Sequence, residues 1–291
     1  MSRGFVILGI DTEVDNIKYA AALSMTIKNC DADSEVCLVT DVGQVVNQVY
    51  YDCFDYIAEL PFGNTGHADG FHASNFWQMT HCTPFDETIY LDYDTLFLNV
   101  DVDLLWEEFS TYNIAMPSLM RTYRNDIANK QFRFSIEDNY DLPTNYSSLC
   151  YFDQSDEAKA WFKMADPFYQ NWRNVYELSF KEKKPESFSK TVINNLVTNA
   201  LDAEDDVCIR LNNLYDIDVH AQQLWNSDVV TDEWTTIFNN WYTPDNQIII
   251  ENSLISSGII HYRDKNFLTD ETLNAIRNTF NTRNLRVDSS A

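Results

Sequence analysis

Two aspartates, Asp92 and Asp94, interrupt an apolar run in the segment TIYLDYDTLFL, residues 88–98. In an extended strand, residues i and i+2 point to the same face, with their Cα atoms about 7 Å apart. Two carboxylates this close repel each other, and burial adds to the cost of their charge. The pair therefore predicts a bound divalent cation, and hard oxygen ligands favour Mg²⁺ or Mn²⁺.

A structural alternative is that one aspartate caps a turn while the other is solvated. The spacing alone does not discriminate, because DADS, DVD and DID elsewhere in this acidic chain also match it. The flanks distinguish this copy, since TIYL before it and TLFL after it are both typical of buried strand. A metal held there would stabilise the charge that builds on a leaving diphosphate.

The composition bounds the class of protein. The chain has 291 residues, 45% hydrophobic and 14% aromatic, which is enough for one large globular domain or two small ones. Twenty Lys and Arg against 45 Asp and Glu give a net charge of −25. This charge disfavours an extensive nucleic-acid-binding surface, but it does not exclude a nucleotide held through a metal.

Membrane and secretion signals are not evident in the sequence. No segment approaches the roughly 18–20 consecutive apolar residues of a membrane span, and the apolar segment after the N-terminus is short for a signal peptide. We therefore expect a cytoplasmic protein, in the host cytoplasm if the chain is viral. The six cysteines show no zinc-site spacing and are predicted to be free thiols.

The order of predicted elements indicates an α/β protein. A strand over 5–10, a helix over 17–30 and a strand over 35–40 form a βαβ unit, which favours a mainly parallel sheet flanked by helices. Open sheets of this kind bind ligands at the carboxyl ends of their strands, where the acidic pair lies. Further predicted helices cover 71–81, 102–110, 156–172, 190–201 and 270–284, and further strands cover 51–60, 88–98, 112–118, 146–153, 207–217, 247–252 and 257–264.

Three separated segments carry a family resemblance. PFDETIYLDYDTLFL resembles the acidic motif of the glycogenin-like glycosyltransferases of family 8, which reads approximately YLDADTLVL. The segment from FVILGIDTEVDN to VCLVTD resembles that family's N-terminal unit, and GIIHYRDKNF resembles its segment with a histidine and a lysine. The three segments follow the family's order across residues 5–267.

The resemblance implies a GT-A fold, a single Rossmann-like α/β domain over residues 1–291 with a mainly parallel central sheet flanked by helices. A nucleotide-binding half would cover about 1–115, an acceptor-side half about 116–267 and a C-terminal helix 268–285. It implies a metal site of two aspartates and a histidine, and catalytic roles for a lysine and the second aspartate. The residues so implied are Asp92, Asp94 and His261 for the metal, Lys265 and Asp94 for catalysis, Ile10, Asp11, Thr12, Tyr93 and Lys265 for the nucleotide, and Asn145 and Ser147 for the sugar.

The activity that the resemblance implies is the transfer of a hexose from a UDP-sugar to an acceptor hydroxyl, with retention of anomeric configuration. The acceptor would be a sugar, a protein or a modified base. An imidazole ligand favours Mn²⁺, with Mg²⁺ as the alternative. Two other functions stay open. One is a non-catalytic or decayed sugar-nucleotide-binding protein, and the other is a nucleotidyltransferase, which the acidic turn GIDTEVDN disfavours.

The sequence departs from the family at several positions, including the KPW of its animal members, where Asn266 and Phe267 follow Lys265 here. The family has a Lys or Arg shortly before the acidic motif, but FHASNFWQMTH has none, so His72 or Asn75 is the expected substitute. The family's acidic acceptor-side position falls within SFSKTVINN, where Ser187 or Ser189 would replace it. The charged segment FKEKKPESFSK, residues 180–190, is predicted to form a surface loop.

Overall fold

The computed structural model describes residues 1–12, 14–66, 70, 72–123, 140–181, 185–211, 216–218, 239–262 and 265–288. The strands are β1 Arg3–Leu8, β2 Val36–Thr40, β3 Tyr56–Glu59, β4 Glu87–Asp92, β5 Thr95–Leu98, β6 Ile114–Pro117, β7 Arg121–Thr122, β8 Leu149–Asp153, β9 Cys208–Ile209, β10 Asp216–Asp218, β11 Asn240–Thr243, β12 Gln247–Ile250, β13 Ser253–Ile255 and β14 Gly258–His261. The α-helices are α1 Asn16–Cys30, α2 Gln48–Tyr51, α3 Met79–Cys82, α4 Val102–Phe109, α5 Asp156–Gln170, α6 Trp172–Ser179, α7 Lys190–Ala200, α8 Glu204–Val207 and α9 Asp270–Asp288, and 3₁₀ helices cover His72–Gln78 and Lys265–Phe267.

Seven strands form the central sheet, in the order β3-β2-β1-β4-β8-β6-β9. Strand β1 pairs in parallel with β2 and β4, and β2 pairs in parallel with β3. Only β8 runs against its neighbours β4 and β6 among the described strands of this sheet. The predicted α/β fold with a mainly parallel central sheet is confirmed. Among the described helices, none has the length and apolar composition needed to cross a bilayer.

Helices cover both faces of the central sheet. Phe5 and Ile7 of β1 pack into a core that includes α1, α4 and α9. Val6 and Leu8, which point the other way, pack into a core that includes α5 and α7. Because both faces are buried, the strand is apolar at consecutive positions rather than at alternate ones, as the sequence run FVIL shows.

The chain leaves the central sheet immediately after Asp92. The Thr95 hydroxyl donates a hydrogen bond to the Asp92 carbonyl at 2.7 Å and closes a turn. Strand β5 then enters a second sheet, in the order β5-β14-β10-β7. The prediction of one strand across residues 88–98 is therefore wrong, because this turn divides the segment between two sheets. Strands β11, β12 and β13 form a third, antiparallel sheet.

Two other predicted elements differ from the structure. The helix expected over 71–81 is mainly a 3₁₀ helix, in which Asn75 Nδ2 donates to the His72 carbonyl at 2.9 Å and to Asn64 Oδ1 at 2.8 Å. Side-chain bonds of this kind compete with regular α-helical pairing. The single strand expected over 207–217 is also wrong, since β9 ends at Ile209 and β10 joins a different sheet.

All six cysteines are free thiols, as predicted. Burial raises the pKa of Cys37 to about 12 and that of Cys30 to about 11. These thiols therefore stay protonated near neutral pH and lack the thiolate needed for nucleophilic chemistry. Cysteine catalysis at these positions is disfavoured.

Replacing Phe5 with alanine tests the core between the sheet and α4. The Phe5 ring is fully buried and lies 5.6 Å from the ring of Phe97 and 5.5 Å from that of Trp106. We expect Phe5→Ala to lower the free energy of unfolding by about 3–5 kcal/mol, because it leaves a cavity in a close-packed core. Urea unfolding monitored by circular dichroism measures this loss.

The matched control is Leu178→Ala, because the Leu178 side chain in α6 is 85% exposed. We expect it to change the unfolding free energy by no more than about 0.5 kcal/mol. Similar losses in the two variants would contradict the placement of Phe5 in the core.

Candidate active site

The acidic pair lies at the carboxyl end of β4, at the junction of the two larger sheets. Asp92 is aligned with Leu8 of the parallel strand β1, and its backbone N–H donates to the Ser148 carbonyl at 3.0 Å. Ligand atoms of Asp92, Asp94 and His261 all lie within 4.8 Å of one another. Within the described ranges, no other group of three His, Cys, Asp or Glu side chains lies this close together. The structure therefore brings together all three predicted metal ligands.

Strand pairing positions His261. Strand β14 runs antiparallel to β5 with His261 opposite Thr95, and the N–H of Tyr262 donates to the Asp94 carbonyl at 2.9 Å. His261 Nε2 lies 3.3 Å from Asp94 Oδ1. Its buried Nδ1 has no hydrogen-bond partner among the described residues. Two carboxylates and an imidazole nitrogen form a donor set that fits Mn²⁺ better than Mg²⁺, which prefers oxygen.

Lys265 contacts the second aspartate. Its ammonium donates to Asp94 Oδ2 at 2.6 Å and lies 4.4 Å from the ring centroid of Tyr93, a favourable cation–π distance. Burial disfavours the charged form of Asp94, but the charge of Lys265 and the contact with His261 outweigh this effect and hold the Asp94 pKa well below its usual range. Burial and the charge of Asp94 raise the pKa of Tyr93, so its phenol stays neutral. The Asp94 carboxylate and the Lys265 ammonium thus form an ion pair next to the carboxyl end of β4.

A second lysine, which the sequence analysis did not assign to the site, contacts the first aspartate. Lys190 is only 8% exposed, and its ammonium donates to Asp92 Oδ1. The same oxygen accepts the Tyr90 hydroxyl at 2.8 Å. The Lys190 ammonium also lies 4.7 Å from the ring centroid of Tyr90 and 5.4 Å from that of Phe76. Lys190 therefore belongs to the site.

The surface loop predicted for residues 180–190 is wrong at both ends, where Phe180 and Lys190 are buried, and residues 182–184 lie outside the described part of the chain. Lys190 is the first residue of α7, and Ser189 is the N-cap, whose hydroxyl accepts from the Val192 N–H at 3.4 Å. A serine before an apolar helical run is a recognised helix start, so this signal could have placed Lys190 in the first turn. The capping bond gives Ser189 a structural role. Ser187, the other serine expected near the acceptor, is exposed.

The expected substitutes for the family's missing basic residue point elsewhere. Asn75 Oδ1 accepts from the backbone N–H of Thr65 at 2.9 Å, and His72 Nδ1 lies 3.0 Å from Asn64 Nδ2. Both side chains hold the segment before the 3₁₀ helix. The first aspartate of the acidic motif instead contacts Lys190, which comes from a later helix.

The turn after β1 holds the start of α1. Asn16 Nδ2 donates to the Ile10 carbonyl at 2.7 Å, and Asp11 Oδ1 accepts from the Ile17 N–H at 2.9 Å. Thr12 Oγ1 accepts from the Val14 N–H at 3.1 Å. Burial raises the pKa of Asp11. Ile10, Asp11 and Thr12 thus have structural partners beside the strand that carries Asp92, and their contact with a nucleotide stays a prediction.

The two expected sugar contacts lie against α7. Asn145 Nδ2 donates to Asn195 Oδ1 at 2.5 Å, while its buried Oδ1 has no partner among the described residues. The Ser147 hydroxyl shares a hydrogen bond of 2.9 Å with the Thr191 hydroxyl. Thr191 follows Lys190 directly, so these side chains surround the first turns of the helix that contacts Asp92. Their role toward a sugar stays a prediction.

The ionisation of Asp94 predicts how stability depends on pH. Because its pKa is lower in the folded protein, the stabilisation from its partners is complete above the unfolded pKa and is lost as pH falls below about 4. Asp94→Asn lacks this contribution. We expect the difference in unfolding free energy between wild type and Asp94→Asn to shrink below about pH 4. Urea unfolding across pH in metal-free buffer measures it, and a constant difference down to about pH 2.5 would contradict the assignment.

Solved glycosyltransferases have the same architecture. Galactosyltransferase LgtC, in complex with donor and acceptor sugar analogues, matches with a TM-score of 0.55 at 11% identity, over 96% of this chain and 95% of LgtC. Mouse xyloside xylosyltransferase 1, in its apo form, matches with a TM-score of 0.50 at 10% identity, over 90% of this chain and 98% of that protein. The apo bifunctional glycosyltransferase WbbM matches with a TM-score of 0.51 at 10% identity, over 96% of this chain and 49% of WbbM.

No family model and no curated protein matches the chain. At 10–11% identity, the structural matches establish the fold. The chain has the GT-A fold of glycosyltransferases, as the resemblance of its three sequence segments predicts.

Proposed function

We propose that this protein is a metal-dependent retaining glycosyltransferase that moves a hexose from a UDP-sugar to an acceptor hydroxyl. The observation that carries the proposal is the group of Asp92, Asp94 and His261, within 4.8 Å, at the carboxyl end of a central strand. The GT-A fold supports sugar transfer, and the description of LgtC as a galactosyltransferase supports a hexose donor. Retention and the UDP carrier rest on the resemblance to family 8.

The proposed chemistry is electrostatic. A divalent ion, Mn²⁺ in our proposal, held by Asp92, Asp94 and His261 would neutralise charge on the departing diphosphate. Lys265 would add a positive charge on the same side, because Asp94 and the Tyr93 ring hold its ammonium in place before the donor binds. A group oriented in advance stabilises developing charge without reorganisation during the reaction. Lys265 is therefore the proposed catalytic cation.

The same geometry also supports a second candidate, sugar-nucleotide binding without transfer. Asp92 and Asp94 each accept a hydrogen bond from a lysine, so both carboxylates have a positive partner without a metal. A decayed transferase that retains only binding would have this arrangement. Detection of a glycosylated product separates the two candidates, since a binding protein gives none.

Sugar-nucleotide turnover tests the proposed reaction. We expect purified protein to release UDP slowly from UDP-glucose or UDP-galactose with Mn²⁺, and to stop when EDTA is added. Asp94→Asn should abolish the metal-dependent release, because it removes a metal ligand that also holds Lys265. The exposed Asp33→Asn variant makes the same change in charge and should keep wild-type activity.

Two results would contradict this proposal. Full metal-dependent turnover by Asp94→Asn would remove the acidic pair from the mechanism. Release of pyrophosphate from a nucleoside triphosphate, with no turnover of any UDP-sugar, would indicate the nucleotidyltransferase alternative. Chromatography of the reaction products distinguishes the release of UDP from the release of pyrophosphate.

Replacing Lys265 with methionine tests the catalytic cation. The variant keeps the length of the side chain but loses the charge, so we expect kcat to fall about 10²- to 10³-fold, the size typical of one lost electrostatic donor. Lys163→Met, on the exposed side of α5, removes the same charge elsewhere and should leave kcat unchanged. Equal kcat values for Lys265→Met and wild type would exclude the role, and steady-state kinetics at saturating donor measures it.

A further inference from the structure

Each carboxylate of the candidate metal site has its own lysine. Lys190 donates to Asp92 from the start of α7, and Lys265 donates to Asp94 from the 3₁₀ helix after β14. The resemblance to family 8 assigns Lys265 but assigns nothing to Lys190. Lys190 lies 98 residues after its partner in the sequence.

The environment of Lys190 leaves its ammonium few alternatives to Asp92. The side chain is 7% exposed, that of Asp92 is 18% exposed, and the rings of Tyr90 and Phe76 lie beside the charge. A buried ammonium is costly unless it is paired. Asp92 Oδ1 therefore binds Lys190 and the Tyr90 hydroxyl at once, and a metal at this oxygen has to compete with both.

The charges of the site are balanced without a metal. Two carboxylates face two ammonium groups, and the metal-binding form of an imidazole is neutral. A divalent ion alone would bring two positive charges into a half-buried site that already holds two. A diphosphate arriving with the ion would supply the missing negative charge.

We propose that Lys190 makes the affinity of the site for a divalent ion depend on the donor. Without a donor, Lys190 is the counter-ion of Asp92 and competes with the metal. The divalent ion therefore binds well only together with an anionic nucleoside diphosphate. Lys190 acts as a positioning residue through Asp92 and is not required to touch the reacting atoms. The identity of the anion rests on the proposed function, whereas the competition between Lys190 and the metal rests on the ion pair itself. Metal and nucleotide then bind with positive coupling, which is reciprocal by linkage.

Mn²⁺ titrations with and without UDP test this inference, with free Mn²⁺ measured by electron paramagnetic resonance. Without UDP, we expect Lys190→Gln to bind Mn²⁺ about tenfold or more tightly than wild type, because a competing positive charge is removed. The factor by which UDP strengthens Mn²⁺ binding should fall correspondingly. Lys163→Gln removes one charge from an exposed site and should resemble wild type in both measurements.

Further variants separate charge from packing. Lys190→Arg keeps the positive charge and should retain weak Mn²⁺ binding without UDP. Lys190→Met, which fills the space between the rings, should reproduce the tighter binding if Lys190→Gln does not fold, and thermal unfolding monitors folding of each variant. An equal gain of affinity in Lys190→Arg would assign the effect to packing and overturn the inference.

Different experimental results would overturn the inference about Lys190 and the proposed function. Wild-type Mn²⁺ affinity in both Lys190→Gln and Lys190→Met, or a similar gain in Lys163→Gln, would overturn the role of Lys190. Absence of Mn²⁺ binding to wild type with UDP present would also overturn it. Sugar transfer is measured independently by product formation, so coupled Mn²⁺ and UDP binding without any transfer would overturn only the catalytic proposal.

Discussion

The charge of two aspartates at the end of one strand is the constraint that organises this site. The side chains of Asp92 and Asp94 are 18% and 16% exposed, so each carboxylate has lost most of its hydration. Carboxylates at this depth need hydrogen bonds and opposite charge to stay ionised. The chain provides Lys190 for the first and Lys265 with His261 for the second. Two segments that are distant in sequence, the start of α7 and residues 258–267, therefore converge on one turn.

That turn depends on the division of the segment between two sheets. Strand β4 is paired on both sides, with β1 and β8, which fixes Asp92 at the rim of the central sheet. Strand β5 is paired with β14, which brings His261 opposite Thr95 and next to Asp94. Because both halves of the motif are held by backbone ladders, the spacing of the three candidate ligands follows from the registers of the two sheets. Side-chain geometry at the site is thus set by the fold.

The local balance of charge at the site differs from that of the whole chain. The net charge of −25 repels anions at long range, yet Lys190 and Lys265 both contact the acidic pair. Such local positive charge, with a divalent ion, is what a nucleoside diphosphate requires from an acidic protein. The proposed coupling between the divalent ion and the donor follows from this balance, because the binding of either one alone would leave the site with a net charge.

The sequence by itself determined the fold class, and it predicted the three side chains that the structure brings together at the candidate site. Apolar strands on either side of an amphipathic helix predict the parallel sheet, and the acidic motif with His261 and Lys265 is recognisable from three short segments. These features are local, because each depends on the periodicity or the motif of a few neighbouring residues. The tertiary structure alone decided the turn that splits residues 88–98 and the contact between Lys190 and Asp92. Both depend on which strands pair and on how α7 packs on the sheet. A local sequence pattern does not predict contacts between residues so far apart in the chain.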